Sequence, residues 1–145
     1  MSEPINFIET RFHYLSPFSA HRVEIWGELF ATAEHAYQSS RILPGPEREA
    51  IKNAPSPMDA WREGQKYKNR EDLSVPGFDK LAIMEDIFRA KLAQHADIAD
   101  ILRESGDAPL LKEWAADYFW GTGADGSGEN QMGKLWMKLR EELAS

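Results

Sequence analysis

Between Gly121 and Gly133 the chain has five glycines, and this density constrains the fold more than any other feature of the sequence. Glycine loses more backbone freedom on folding than any other residue, so it weakens helices and strands alike. The segment therefore predicts an ordered loop. Apolar residues at helical spacing then predict a final helix, with Asn130 as its N-cap. These residues are Met132, Leu135, Trp136, Leu139 and Leu143.

A glycine-rich loop that leads into a helix N-terminus can aim several backbone N–H groups at one anion. Two nucleotide-binding motifs are nevertheless incomplete in this loop. Gly121, Gly123 and Gly126 have the spacing of the dinucleotide fingerprint, but only 19 residues follow, too few for the strand–helix–strand unit that it needs. Leu135 stands where a P-loop needs a Ser or Thr to hold Mg²⁺. An anion site and a ligand-free surface loop both remain open.

The composition is that of an ordinary globular chain, with 42% hydrophobic and 28% charged residues among 145. We expect one domain over residues 1–145. The net charge of −7 argues against sequence-independent gripping of duplex nucleic acid, which needs a basic surface. The absence of cysteine excludes disulfides and thiolate chemistry, and four dispersed histidines predict no metal site. A polar N-terminus and the lack of a long apolar run predict a cytoplasmic protein without a membrane span.

Hydrophobic periodicity predicts an α+β fold that is predominantly helical with a small β element. Extended structure is expected at the start of the chain, and a turn at Gly27 and Glu28 joins strands at 22–26 and 29–30 into a hairpin. The remaining elements are helices over 33–43 with Thr32 as N-cap, 47–52, 58–64 and from Asp79 to Gly106 in one or two pieces, a loop over 66–77, and a short strand within 109–114.

The helix that Thr32 begins carries three polar side chains on one face. Glu34 lies in its first turn, where the positive end of the helix dipole stabilises a carboxylate. Gln38 follows four residues later and Arg41 seven later, so the three share a face that Tyr37 flanks. Either this stripe is a solvated surface, or it is a polar site for a ligand.

A second cluster combines a carboxylate with aromatic rings directly before the glycine loop. Its members are Asp117, Tyr118, Phe119 and Trp120. Aromatic runs usually belong to a core. A run that ends in Trp-Gly-x-Gly beside a carboxylate also suits a pocket that stacks a flat base.

Residues 32–38, Thr-Ala-Glu-His-Ala-Tyr-Gln, resemble the Glu-His-Tyr-Tyr-Gln signature of the NADAR family, the YbiA-like N-glycosidases. The block that begins at Asp117, passes through the glycines and Asn130 and ends at Arg140 is similar to the family's C-terminal motif. Between them, Ser56-Pro57, Gly64, Lys80, Met84 and the Arg-Ala-Lys-Leu of residues 89–92 follow the order of the family's middle motifs. The resemblance covers nearly the whole chain.

The resemblance implies a small α+β enzyme, without a cofactor, that cleaves the N-glycosidic bond between a ribose and a base. The implied substrates are ribosylaminopyrimidine intermediates of riboflavin synthesis or ADP-ribosylated guanine, as a small molecule, a nucleotide or part of a nucleic acid. By position, Glu34, Asp117 and Trp120 would be catalytic or line the pocket, and Lys80 is the candidate for a Schiff-base lysine associated with the family. Substrate binding is expected of Tyr37, Gln38, Arg41, Gly121, Gly123, Gly128 and Asn130.

Three positions depart from the family's pattern. Arg41 stands where the family has a lysine, and a guanidinium stays protonated and forms no imine. Pro17 replaces an asparagine, and the tryptophan usual before Lys80 is absent, with Phe78 in that region. These departures leave two alternatives to an enzyme: a non-catalytic module that binds ADP-ribose or a related nucleotide, and a structural protein with a vestigial pocket.

We hypothesise that Glu34 and residues 117–130 line one cavity. One of the carboxylates at 34 and 117 would stabilise the positive charge that develops on the ribose, and the other would transfer a proton. Trp120 would stack on the base or ribose, the N–H groups of residues 121–130 would hold a phosphate, and Arg41 would add a charged donor.

Overall fold

A computed structural model describes residues 2–145, which form six α-helices, four short strands and one 3₁₀ helix. The strands are β1 (Ile5–Asn6), β2 (Val23–Ile25), β3 (Glu28–Phe30) and β4 (Leu110–Leu111). The helices are α1 (Ala33–Ser40), α2 (Pro46–Lys52), α3 (Pro57–Lys66), α4 (Lys80–Gln94), α5 (Ala96–Glu104) and α6 (Gln131–Ala144), and the 3₁₀ helix is Arg11–Leu15. The predicted α+β class with predominant helices is confirmed.

The chain divides into two compact units, one containing the chain up to Ser16 together with Leu92–Ser145, the other Pro17–Lys91. In the first unit, β1 pairs in parallel with β4. Trp136 of α6 is fully buried there, and its indole N–H donates to the carbonyl oxygen of Leu15 at 2.8 Å. Because a buried indole needs an acceptor, this bond fixes the end of the 3₁₀ helix against α6.

In the second unit, β2 and β3 form an antiparallel hairpin. The turn lies at Trp26 and Gly27, with φ of 55° and 77°, one residue earlier than predicted. Both residues need positive φ because a type I′ turn matches the twist of the strands. Glu28 accepts hydrogen bonds from Arg48 at 2.6 and 3.0 Å and from Lys52 at 3.0 Å, which ties the hairpin to α2.

Helix α1 ends at Ser40, three residues before the predicted end at residue 43. The next residues pair with another segment instead of continuing the helix. Ile42 forms an antiparallel bridge with Ser74, and the Leu43 N–H donates to the Leu73 carbonyl at 2.7 Å. Pairing with a distant segment thus replaces the last predicted turn of α1. The periodicity of the local sequence gives no sign of this pairing.

Other predicted boundaries are confirmed by the caps. The Ser56 hydroxyl accepts from the Asp59 N–H at 3.0 Å, and the Asp79 carboxylate from the Ala82 N–H at 3.1 Å. The helix predicted after Asp79 is in two pieces, α4 and α5. Residues 11–15 are not extended as expected, because the Thr10 hydroxyl accepts from the Phe12 N–H at 3.2 Å and begins the 3₁₀ helix.

Among the helices of residues 2–145, none has the length and apolar character that crossing a membrane requires. One domain over residues 1–145 stays a prediction.

Candidate functional site

The Thr32 cap fixes the first turn of α1 and with it the position of Glu34. The Thr32 hydroxyl lies 3.2 Å from the His35 N–H and 2.8 Å from His35 Nδ1. The other ring nitrogen of His35 lies 2.9 Å from the Ala54 carbonyl, so it carries the proton and donates it. His35 is therefore a core histidine with both ring nitrogens engaged.

Glu34, Gln38 and Arg41 form a chain of hydrogen bonds along α1. The Gln38 Nε2 donates to Glu34 Oε2 at 2.7 Å, and Arg41 Nη1 donates to Gln38 Oε1 at 2.7 Å. Glu34 and Gln38 are only 7% and 3% exposed. The alternative that this stripe is a solvated surface is wrong. A carboxylate, an amide and a half-buried guanidinium are placed in a row along α1, from its first turn to its C-cap.

Gly64 of α3 makes room for the Gln38 side chain. A Cβ at Gly64 would overlap Gln38 Oε1 and lie 3.0 Å from Gln38 Cδ. Sequence reasoning assigned Gly64 no role in the site. Its signal was present, since a glycine inside a helix costs about 1 kcal/mol relative to alanine and usually has a packing reason.

Tyr37 is 8% exposed, and its ring meets Phe78 edge to face with centroids 6.0 Å apart. Phe78 lies near the end of the segment between α3 and α4, which begins one residue later than the predicted loop, so this contact holds that segment against α1 within the second unit. Lys80, the candidate for imine chemistry, is exposed at the first residue of α4. Its role stays a prediction.

Lys91 is a lysine that sequence reasoning gave no role. Its side chain is fully buried in α4, and Nζ donates to the Ser19 hydroxyl at 2.7 Å. The signal in the sequence was its place on the buried stripe of Met84, Ile87 and Phe88, where a lysine interrupts an apolar face. A charge at such a position needs a polar partner.

Asp117 lies in the first unit, and both of its carboxylate oxygens are engaged. Oδ1 accepts from the N–H groups of Phe119 and Trp120 at 3.1 and 2.8 Å, and Oδ2 accepts from Lys112 Nζ at 2.7 Å. Burial raises the pKa of Asp117, but the hydrogen bond and charge of Lys112 and the two N–H groups outweigh it, so the pKa lies below its usual value. Asp117 is therefore ionised at neutral pH.

The glycine loop is folded tightly onto itself. A Cβ at Gly121 would lie 2.7 Å from the Lys112 carbonyl, one at Gly128 would overlap the Gly121 carbonyl, and one at Gly133 would overlap the Leu110 carbonyl. Gly123, with φ of 72°, faces the Tyr118 ring. Close approach of the chain to itself thus explains four of the five glycines, and Gly126 has a positive φ of 82° instead.

Most N–H groups of this loop already donate within the protein. The donors are Thr122, Gly128, Glu129, Asn130, Gln131 and Met132, with carbonyl acceptors at 2.7 to 3.1 Å. The N–H groups of the loop tip, residues 123–126, form no hydrogen bond to a backbone carbonyl of residues 2–145, and the tip carries the Asp125 carboxylate. Most donors of the expected phosphate cradle over residues 121–130 are used to fold the loop, and the cradle stays a prediction.

Asn130 occupies the predicted N-cap position but does not cap α6. Its backbone is left-handed, with φ of 50° and ψ of 42°, and its side chain points to β4. The amide Nδ2 donates to the Leu110 carbonyl at 2.9 Å, and Oδ1 accepts from the Lys112 N–H at 3.0 Å. The buried Asn130 amide holds the loop to β4, and its expected substrate contact stays a prediction.

Trp120 is half-buried, and its ring stands perpendicular to Phe119 with centroids 4.7 Å apart. Tyr118 and Trp114 are each 48% exposed. Asp117 fixes the Trp120 backbone through the 2.8 Å bond described above. Aromatic rings thus lie directly before the glycine loop, and Asp117 holds the backbone of two of them, Phe119 and Trp120.

The structure brings together Glu34, Tyr37, Gln38 and Arg41 in one unit, and Asp117, Trp120, the loop glycines and Asn130 in the other. A single cavity lined by both groups stays a prediction. Among residues 2–145, no three His, Asp or Glu side chains are grouped as a metal site would need.

Known proteins with similar sequences cover nearly the whole chain. The profile of the NADAR domain matches residues 6–144. N-glycosidase YbiA of Escherichia coli strain K12 is 35% identical over 147 residues, covering 97% of this chain and 88% of that protein. Riboflavin biosynthesis protein VVA0006 of Vibrio vulnificus strain YJ016 is 30% identical over 148 residues, covering 99% of this chain and 39% of that protein.

A solved structure has the same fold. The NMR structure of the E. coli protein YbiA superimposes with a TM-score of 0.83 at 33% identity, covering 99% of this chain and 87% of that chain.

Proposed function

This chain belongs to the NADAR family, and we propose that it is an N-glycosidase, a hydrolase of the bond between a ribose and a base. The name of the E. coli relative, N-glycosidase YbiA, supports this reaction. The observation that carries the proposal is the buried carboxylate of Glu34, held by the Gln38 amide at 2.7 Å at the start of α1.

Hydrolysis of an N-glycosidic bond adds the hydroxyl of water to C1′ and its remaining proton to the departing nitrogen. As the C1′–N bond breaks, positive charge develops on the ribose. A fixed carboxylate beside C1′ stabilises that charge most effectively where water is excluded. Glu34 has this role in our proposal, because it is buried and restrained by a hydrogen bond within its own helix.

Asp117 is a weaker candidate for proton transfer than the sequence indicated. Both its oxygens accept hydrogen bonds and its pKa lies below the usual value, so it is a poor acid at neutral pH. We assign it to positioning: it holds the backbone of Trp120, whose ring we propose to stack on the base or ribose.

We propose two substrate classes for this site. One is a ribosylaminopyrimidine that carries ribose 5-phosphate, in line with the name of the Vibrio relative. The other is guanine joined to ADP-ribose, free or in a nucleic acid. The net charge of −7 favours recognition of one local nucleotide over broad contact with duplex phosphates.

The test is release of the base from each substrate class by the purified full chain, followed by chromatography. We expect turnover with at least one class and a loss of kcat of about 10²-fold or more in Glu34→Gln, since the carboxylate acts on charge in the transition state. Glu49→Gln is the matched control, because Glu49 is an exposed carboxylate in α2 of the same unit.

Three results would change the proposal. Retained turnover in Glu34→Gln would remove Glu34 from the mechanism. Binding of ADP-ribose by calorimetry without base release would identify a non-catalytic nucleotide-binding module. No binding of any ribose phosphate would leave a structural role.

A further inference from the structure

We propose that Arg41 and Gly64 are positioning residues for the Glu34 carboxylate, and that both act through the Gln38 amide. The inference rests on the proposed function of Glu34 as the catalytic carboxylate. It assigns to Arg41 a role other than direct contact with a substrate phosphate. Three observations carry it: the bond from Arg41 to Gln38, the bond from Gln38 to Glu34, and the absence of a Cβ at Gly64.

Arg41 decides which way the Gln38 amide faces. A guanidinium has only donors, so the side-chain atom of Gln38 that lies 2.7 Å from Arg41 Nη1 must be the carbonyl oxygen. The NH2 group then faces Glu34 Oε2, also at 2.7 Å. Without Arg41 the amide could turn and present its oxygen to the carboxylate, a repulsive pair of acceptors. The arginine thereby fixes a donor on Glu34 without touching it.

The backbone is held by main-chain hydrogen bonds at Arg41 itself and two residues after it. The Arg41 carbonyl accepts the Val75 N–H at 3.0 Å, and the Leu43 N–H donates to the Leu73 carbonyl at 2.7 Å. These bonds tie the residues after α1 to the 73–75 segment of the same unit. The guanidinium therefore starts from a fixed backbone and needs little further ordering to reach Gln38.

Gly64 fixes where the Gln38 amide lies. Any larger residue would place its Cβ onto Gln38 Oε1, and Gln38 is only 3% exposed, so its side chain has little free space to enter. Helix α3 thus forms a wall against the amide, and Arg41 and Gly64 constrain the same oxygen from two directions. Because charge-assisted hydrogen bonds in a buried row strengthen one another, this row restrains the Glu34 carboxylate.

The first experiment separates kcat from KM in variants of the full chain. Arg41→Met and Gly64→Ala should each lower kcat by about 10- to 100-fold, as expected for a misplaced catalytic group, with KM within about twofold of wild type. Arg41→Lys should recover most of kcat, because a single donor to Gln38 is all that the contact requires. Arg62→Met and Gln65→Ala are the controls, an exposed arginine and a neighbour of Gly64 in α3.

A raised KM with unchanged kcat in Arg41→Met would overturn the inference and place Arg41 on the substrate. Unchanged kcat in Gly64→Ala, with the protein folded by thermal unfolding, would overturn the part that concerns Gly64.

The second experiment needs no turnover, so its failure is distinguishable from failure of the proposed function. In ¹H–¹⁵N spectra of wild type and Arg41→Lys, the two protons of the Gln38 side-chain NH2 should have well-separated chemical shifts, because one of them is hydrogen-bonded to the Glu34 carboxylate. In Arg41→Met and Gly64→Ala the chemical shifts of these two protons should move toward those of a glutamine side chain in water. Signals that stay unchanged in both variants would overturn the inference even if the wild type is an active N-glycosidase.

Discussion

Asn130 shows how one side chain can hold an irregular loop. Its amide spans two strand-edge groups, the Leu110 carbonyl and the Lys112 N–H, and both bonds are formed where the residue is 7% exposed. Its left-handed backbone, with φ of 50°, suits asparagine better than most residues. In this conformation the side chain lies beside Gly133 of α6 but forms no capping hydrogen bond to the helix. The Asn130 side chain therefore holds the loop to β4 and does not cap α6.

Substitutions at Asn130 should separate the contribution of its side-chain hydrogen bonds from that of its left-handed backbone. We expect Asn130→Gly to lower the free energy of unfolding by about 1–3 kcal/mol, because two buried backbone groups lose their partners while the backbone angle stays allowed. Asn130→Ala should cost about 1 kcal/mol more, for left-handed strain. Urea unfolding measures both. Equal stability of the alanine and glycine variants would contradict the backbone argument.

At the scale of elements, the hairpin of the second unit is attached by charge. Glu28 of β3 accepts from Arg48 and Lys52, both in α2, and Arg48 also lies over the Phe30 ring at 6.0 Å. The hydrogen bond from Arg48, against a smaller opposing effect of burial, lowers the pKa of Glu28 to about 2. A hairpin of three-residue strands is marginal by itself; Val23 and Phe30 bury one face of it, and the bonds of Glu28 tie it to α2.

The lowered pKa of Glu28 predicts a pH-dependent stability. A depressed pKa means that the contribution is present above the unfolded-state value of 4.5 and is lost as the pH falls toward 2. Because the side chains of Glu28, Arg48 and Lys52 are partly exposed, we expect their interaction to contribute about 1 kcal/mol to the free energy of unfolding. Wild type should therefore lose about that much more unfolding free energy than Glu28→Gln between pH 5 and about 2.

Asp100→Asn, an exposed carboxylate of α5, is the control for this comparison. If wild type and Glu28→Gln lose stability in parallel over that range, Glu28 does not carry the effect.

At the scale of the whole molecule, ligand binding should appear as added stability. A ligand that binds only the folded protein adds about 2.7 kcal/mol at one hundred times its Kd. For a chain of this size that corresponds to a rise in Tm of about 5–10 °C. We expect this rise in differential scanning fluorimetry with ADP-ribose or ribose 5-phosphate at saturation. Pyrophosphate is the control for charge alone, and an equal shift with pyrophosphate would contradict recognition of the ribose.

The helices, most of their caps and the family of this protein follow from local residue patterns. Thr32, Ser56 and Asp79 act through bonds to their own next turn, so local residues suffice to predict them. The order of the motifs along the chain likewise indicates the family without any coordinates.

The roles of the polar residues and the glycines, in contrast, depend on long-range packing. Gln38 is buried because Gly64 admits it, and α1 stops at Ser40 because a segment more than thirty residues away pairs with the chain there. The glycine loop uses its donors on itself, and Asn130 bonds to β4 instead of α6. Each of these outcomes depends on a partner distant in sequence, and local propensity contains no information about where such a partner lies.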